Sequence, residues 1–325
     1  MKFYLCLDDT DNVTSIGTGA LVEMIKARII DENLGSCGNI TRHQLLIDPE
    51  IPYTSHNSAM CLEGDTWPEA LFNIREITLD VLKENAAIGS DPGFCMVENP
   101  TKQMKEMMIA YGKRATLEVL NKESAYDLAT RLGIHLSEHG GTGQGVIGAL
   151  AGIGLRLSGN HGEAKGILKK VAQKRFEAHV LKTRYKIDRI ETITGDEISE
   201  NAIVEIYNPT KVVLKDAQFT LIVRAGVHHY LALDKDIIRQ TQMGIGFYPK
   251  LDVASMVNQY HKGSKGCIDF MWDVAEECLD DKKGLCYNCQ YRRWEVNGFQ
   301  CLYKGHIYKE NLIKNKSIIG SHLDL

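Results

Sequence analysis

The chain has no apolar run approaching the roughly 18 residues that span a bilayer, so a membrane protein is not expected among its 325 residues. Its first residues reach Asp8 and Asp9 too early for the apolar core of a secretory signal; secretion is not expected, and a reducing, cytoplasmic setting is. The basic excess of proteins that bind nucleic acid mainly through phosphates is missing too: the formal net charge is −4. That lowers the expectation of an extended nucleic-acid track and leaves local basic segments at 102–114, 165–175 and 182–189, each read first as a solvated face. There is no GxxxxGK[ST] loop, no defensible Ser/His/Asp or Cys/His arrangement, no repeat of 20–50 residues and no low-complexity linker. What remains is an ordinary globular balance, 44% hydrophobic and 25% charged, in a chain long enough for two or three domains.

Periodicity orders the first half into alternating strands and helices. Residues 2–7 are apolar on both faces, as in a buried strand. Leu21, Ile25 and Ile29 mark a helix over 18–31. Strands are expected at 44–47, 59–62 and 94–97. Thr66-x-x-Glu69 with Pro68 signals a helix start, and further helices are expected over 101–119, 122–132 and 146–157. After about residue 180 the chain turns to short β-rich segments near 192–198, 202–206, 211–214, 219–223 and 230–233. Cysteine then concentrates: five of the nine fall between Cys267 and Cys301, whereas Cys6, Cys37, Cys61 and Cys95 read as buried free thiols. The expected division is 1–180, 181–262 and 263–325, an α/β (α+β) catalytic region, a β-rich module and a small Cys-rich ribbon.

Two constellations carry chemistry. The first is strand, Asp8-Asp9-Thr10-Asp11, loop, Gly17-Thr18-Gly19, helix. Ligands of α/β units sit at the carboxyl ends of strands. Carboxylates this close repel one another unless a cation or donors neutralise them, and Mg2+ binds through one or two carboxylates plus phosphates. The glycine turn adds backbone N–H groups at a positive helix end. Helix capping by Asp11 or Thr18 is the plainer alternative. The second is Gly143-Gln144-Gly145-Val146-Ile147-Gly148, which opens a helix and suits either a phosphate or close helix packing. In the tail, Cys286-Tyr287-Asn288-Cys289 is a CxxC without a second pair. With Cys301 and Cys278 or His306 it suits structural Zn2+; redox thiols and an iron–sulfur centre stay open.

In order and spacing, four stretches resemble the tRNA-isoleucine agmatidine synthetases: Leu7-Asp8-Asp9-Thr10-Asp11 with Thr18; Asp48-Pro49-Glu50-Ile51-Pro52-Tyr53 with Asn57; Asp91-Pro92-Gly93-Phe94 leading to Glu98-Asn99-Pro100; and Gly143-x-Gly145-x-Ile147-Gly148-Ala149-Leu150-Ala151. They cover about half of the chain. The resemblance implies a kinase-like catalytic domain with a ferredoxin-like domain. It implies an ATP-dependent ligase of tRNA modification, which phosphorylates the 2-carbonyl oxygen of a tRNA wobble cytidine for attack by an amine such as agmatine. Asp8, Asp9 and Asp11 then match the metal and ATP site, with Thr10, Gly17, Gly19, Gly143 and Gly145 beside the nucleotide, and Thr18 matches the phosphorylatable threonine. Gly17-Thr18-Gly19 stands where the family commonly has Cys-Thr-Thr. Ser55-His56-Asn57 replaces Thr-Arg-Gly-Asn, which makes His56 and Asn57 the substrate contacts. The other reading of the same acidic site is an ATP-dependent phosphotransferase or ligase acting on a small molecule.

Overall fold

A computed structural model describes residues 1–12, 15–48, 51, 57–168, 174–206 and 210–233, and the backbone alone of 292–295 and 298–301. Two compact units are distinguished: 1–12, 16–46 and 58–248 form the first, and 13–15, 47–57 and 249–325 the second. Of the second unit, the described parts include a turn closed by Ile51 N donating to Asp48 O (3.0 Å) and an antiparallel hairpin of two strands, Arg292–Glu295 and Gly298–Cys301.

The first unit opens with β1 (Lys2–Asp8), α1 (Thr18–Asp31), β2 (Ser36–Cys37), β3 (Thr41–Gln44) and β4 (Ser58–Asp65). A 3-10 turn at Pro68–Ala70 leads into α2 (Leu71–Asn85), followed by β5 (Gly93–Glu98), α3 (Lys102–Arg114), α4 (Lys122–Leu132), β6 (His135–Glu138) and α5 (Gly145–Leu157). The rest comprises β7 (Glu163–Ala164), β8 (Lys174–Glu177), α6 (Ala178–Tyr185), β9 (Arg189–Thr192), β10 (Ile203–Ile206), β11 (Val212–Lys215), β12 (Gln218–Ala225) and β13 (Tyr230–Ala232). One mostly antiparallel sheet runs β6-β5-β1-β4-β3-β7-β11-β12-β13-β10-β8; β9 on β12 and β13 on β10 are its parallel pairs. The fold is α+β, and the sheet continues through β7 from the first half of the chain into the second.

β1 is central and buried on both faces because α-helices cover both. Phe3, Leu5 and Leu7 pack with Leu21, Ile25 and Ile29 of α1 and with Ile74 and Ile77 of α2. Tyr4 and Cys6 face the other way, toward Met108 and Tyr111 of α3 and Ala149 and Ile153 of α5. Cys6 lies in register between Cys61 on β4 and Cys95 on β5. All three are buried free thiols, and burial pushes the Cys95 thiol well above its ordinary value, so that it stays protonated. A separate core of Leu181, Ile190, Val204, Val212, Leu221 and Val223 fills the second half.

Several expected elements shift. The strand expected at 44–47 is β3, centred on Thr41, Arg42 and His43, which are buried although polar. Their partners explain it. His43 Nε2 lies 2.7 Å from Thr41 Oγ1 and His43 Nδ1 3.2 Å from His161 Nδ1, while Arg42 Nε donates to Ser58 Oγ (3.1 Å). Thr66 does not cap the helix that follows it. Its hydroxyl donates to Leu34 O (2.5 Å), and Trp67 takes the cap position. The strand expected over 192–198 is not formed: β9 ends at Thr192, and beyond it only an isolated bridge joins Glu197 to Glu191, while β8 and α6 overlap segments read as solvated basic faces. There Lys182 pairs with Glu197 and Glu200, and Arg175 with Glu205.

Helices α3 and α5 meet backbone to backbone. A Cβ on Gly112 would lie 2.8 Å from Ala151 O, and one on Gly154 would collide with the Met108 carbonyl. Overpacking of this kind costs about 1–3 kcal/mol. Gly154→Ala is therefore expected to lower the urea unfolding midpoint by an amount in that range, without change in the slope of the transition. An unchanged midpoint would mean that the two helices do not touch there.

Candidate functional site

β1 ends at Asp8, which sits opposite Gly93 of β5. Its carboxyl group is 93% removed from solvent (7% exposed) and lies against the first turns of α5. The space for it exists because residue 148 has no side chain: a Cβ on Gly148 would overlap Asp8 Oδ2. Burial raises the Asp8 pKa well above 3.8, the neighbouring charges of Asp9 and Asp11 raise it further, and the Asp9 backbone N–H pulls the other way. Against the two neighbouring carboxylates, the Asp9 backbone N–H is what eases the charge of Asp8.

The chain leaves β1 through Asp9, whose positive φ (49°) turns it sharply. Thr10 follows, fully buried, with its carbonyl accepting from Ala87 N (2.9 Å). Its side chain and amide both point at Thr18: Thr10 Oγ1 donates to Thr18 Oγ1 (3.1 Å) and Thr10 N does so at 3.3 Å. Thr18 Oγ1 in turn donates to Asp11 Oδ1 (2.8 Å). The Thr18 hydroxyl thus gives its one proton to a carboxylate and accepts two bonds, its full capacity. Gly17 takes the N-cap position of α1 in extended conformation and, having no side chain, makes no side-chain cap bond of its own. The structure therefore brings Asp8, Asp9, Thr10, Asp11, Gly17, Thr18 and Gly19 into one short stretch at the end of β1 and the start of α1.

Lys165, which follows β7, was not singled out from the sequence beyond its basic segment. Its aliphatic stem crosses directly over Gly19, so that a Cβ there would overlap it, and its Nζ bonds Glu23 Oε1 (2.6 Å). This puts an ammonium group beside the first turn of α1. Nothing short of the three-dimensional fold connects positions so far apart in sequence.

The glycine block finds its anion within the chain. The Asp91 carboxylate accepts from Gly143 N (3.2 Å), from Thr142 Oγ1 (3.1 Å) and from Thr142 N. Gly145 N donates to Asp91 O (3.1 Å). Residue 143 must be glycine because its φ is +77° and Glu138 closes over it. The amides of Gly143 and Gly145, expected to hold a phosphate, are occupied by Asp91, and the block serves close packing of α5 on β5.

Asn57 belongs to the second unit and is half-buried. His56, Cys278, Cys286 and Cys289 lie outside the described residues, and Cys301 ends the hairpin strand of the second unit. Among the described residues no three His, Cys, Asp or Glu side chains converge as a metal cage. The aspartates at the end of β1 fit instead a hard cation held through one or two carboxylates, with phosphate oxygens and water completing its shell. A cation there would relieve the repulsion among Asp8, Asp9 and Asp11 that raises the Asp8 pKa.

The sign of the Asp8 effect can be tested directly. A carboxyl group whose folded pKa is raised stabilises the fold fully below its unfolded value, near 3.8, and loses that contribution as pH rises toward the folded value. Asp8→Asn, which cannot ionise, is expected to match wild type in thermal unfolding near pH 4 and to become progressively more stable than it up to pH 8. An advantage that is the same at every pH would show that the Asp8 charge carries no penalty.

No family model matches the chain, and no curated protein matches it. Among solved structures, similarity is found to a complex of TiaS with isoleucine tRNA and ATP (TM-score 0.42, 24% identity, 47% of this chain and 36% of that chain). It is also found to a tRNA fluorescent labeling enzyme (TM-score 0.42, 24% identity, 47% and 36%). A third is a complex of TiaS, a tRNA agmatidine synthetase, with isoleucine tRNA, an ATP analogue and agmatine (TM-score 0.41, 19% identity, 57% and 45%). The matched part spans well under two thirds of each of these proteins.

Proposed function

We propose that this chain is an ATP-dependent RNA-modifying enzyme, resembling the agmatidine synthetases, whose phosphoryl chemistry is organised by Asp8, Asp9, Asp11 and Thr18. The single observation that supports the reading most is the Thr18 hydroxyl, which donates to Asp11 at 2.8 Å beside the buried Asp8 carboxyl. Phosphoryl transfer asks a protein for positioning and charge neutralisation rather than for covalent chemistry of its own; that arrangement supplies the positioning, and its carboxylates could hold the cation that would supply the neutralisation. Asp11 holds the carboxylate oxygen to which a Thr18 proton would pass if Thr18 accepts a phosphoryl group. Asp8 and Asp9 would hold Mg2+, which when bound would screen the nucleotide phosphates from the carboxylates. Lys165, beside the first turn of α1, offers a cation to the same phosphates once it leaves Glu23.

In this reading the acceptor is a cytidine of an isoleucine tRNA, activated at its 2-carbonyl oxygen, and the nucleophile is an amine such as agmatine. The kinase-like and ferredoxin-like division belongs to the same proposal, as do a cytoplasmic location and a Zn2+ site formed by Cys278, Cys286, Cys289 and Cys301. No described helix is long and apolar enough to cross a membrane. The net charge of −4 favours the second reading, a small-molecule acceptor at the same acidic site.

ATP turnover with Mg2+ separates the two. The expected result is stimulation by total tRNA together with agmatine, lost by at least about tenfold in Asp9→Ala, in line with removal of one electrostatic group from such a site. Turnover that ignores tRNA but is still lost in Asp9→Ala would move the acceptor to a small molecule. Turnover that Asp9→Ala leaves intact would remove the acidic site from the chemistry.

A further inference from the structure

β7 is two residues long, yet the sheet passes through it. Ala164 and Glu163 pair with Thr41 and Arg42 of β3 on one side, and Glu163 with Val213 of β11 on the other. Lys165 comes next, its amide donating to Ile40 O (2.8 Å). Paired residues share a face of the sheet, and faces alternate along each strand. Arg42 is in register with Met60, which packs in the core that α1 covers, so Arg42, Glu163 and Lys165 are on the α1 face. Thr41 and His43, opposite Cys61 and Ala59, are on the α5 face. A slip of one residue would exchange the faces and carry Lys165 from Gly19 to the far side of the sheet. A ladder of two residues is little to prevent it.

A side-chain bond just upstream of β7 resists that slip. His161 precedes the strand and His43 lies on β3, 118 positions away; their Nδ1 atoms are 3.2 Å apart. Both rings are buried. Burial first, then His161 and the Arg156 charge from α5, lower the His43 pKa, and burial lowers that of His161 to about 4. A neutral imidazole has one N–H, so the two Nδ1 atoms bond only if one ring carries its proton there and the other does not. Thr41 assigns them. Its hydroxyl donates to Cys61 O (3.3 Å) and so accepts from His43 Nε2–H at 2.7 Å. His43 Nδ1 is then a bare acceptor, filled by His161 Nδ1–H. His161 Nε2 is buried without a partner among the described residues. The bond to His43 is therefore what holds the His161 ring, and losing it would strand both Nδ1 atoms away from water. Gly162 leaves the room: a Cβ there would lie 2.6 Å from His43 Nδ1. On the α1 face Arg42 and Lys211 approach Glu163 at 3.9 and 2.8 Å. Their long stems can follow Glu163 through a small shift, whereas the two imidazoles are rigid and aimed.

We propose that His43 and His161 are positioning residues for Lys165: their bond fixes the register of β7 on β3, and that register sets the Lys165 ammonium over the first turn of α1. The role bears on catalysis only where the end of β1 handles phosphates, as proposed above.

The test reads Lys165 itself, by trace acetylation of the full-length protein and mass spectrometry. In His161→Leu, which keeps the volume and removes the bond, Lys165 is expected to acetylate about threefold faster or more, the factor of one lost hydrogen bond. Lys182, equally shielded and ion-paired in the second half of the sheet, is expected to keep its rate and so reports on misfolding. His161→Asn, whose amide N–H can replace the Nδ1–H, is expected to stay close to wild type. Unchanged Lys165 acetylation in His161→Leu, or equal acceleration of Lys165 and Lys182, overturns the proposal. A titration with ATP and Mg2+ then separates this role from the function it serves. Lys165→Met is expected to weaken ATP about tenfold, His161→Leu several-fold, and the double variant no more than Lys165→Met, since both act through one ammonium group. Losses that multiply overturn the positioning role. A wild type that binds no ATP, with acetylation changed as expected, overturns the proposed function and leaves the register role standing.

Discussion

The interaction on which the site depends is the burial of one carboxyl group, Asp8, beneath the first turns of α5. β1 delivers it there because the strand is sandwiched between helices on both faces and cannot end in solvent. Helix α5 can come so close because Gly145 and Gly148 add no side chain where Asp91, Gly93 and Asp8 need the room. Buried ionisable groups without compensation are costly, and a fold selected for stability alone would place an apolar residue or an asparagine at position 8. The cost makes sense where a cation or ligand restores the balance. Thr10, Asp11 and Thr18 are organised around the same strand end, so the chemistry and the strain share one location.

Those parts of the architecture that rest on regular apolar spacing could be read before folding was known. The bounds of α1 coincide with Thr18–Asp31, and β1 was expected within one residue of its end. Buried thiols at Cys6, Cys61 and Cys95 follow from apolar sequence surroundings and are found, whereas Cys37, expected with them, is only partly buried. Strand β3 could not be placed this way, because Thr41, Arg42 and His43 are polar and become buried only through partners distant in sequence, above all His161 and Ser58. The glycine block shows the same limit. Its pattern suits a phosphate or close packing equally, and Asp91, about 50 residues earlier by number, decides between them by filling the amides itself. The acidic cluster was visible because its members are neighbours in the chain. Lys165 was not, since it reaches Gly19 only through the pairing of β7 with β3.

Charge follows a related logic. Several basic side chains that might have formed a track for nucleic acid are paired: Lys182 with Glu197 and Glu200, Arg189 with Glu191 and Asp216, Lys211 with Glu163. Some of these pairs use buried carboxylates, Glu163 and Glu191, and all of them lower the local field that would attract a polyanion. An acidic chain that nevertheless engages phosphates must do so with donors whose effect is local. Lys165, whose stem crosses Gly19 at the first turn of α1, is a group of that type.

The state of Thr18 places a condition on any chemistry at this end of β1. Its hydroxyl is buried and holds its full set of hydrogen bonds, from Thr10 and to Asp11. A phosphoryl group cannot reach an oxygen so enclosed without displacing at least the bonds from Thr10. Gly17, exposed and without a side chain, stands at the junction of the loop and α1, where a Cβ would meet only Asp11 Oδ2 at 3.9 Å, and so leaves room for that displacement. The bond to Asp11 has the opposite value: it is the one that transfer would use, since it already directs the proton toward a carboxylate. The two classes of bond at Thr18 therefore do different work. Those from Thr10 keep the hydroxyl closed, and the one to Asp11 keeps it ready.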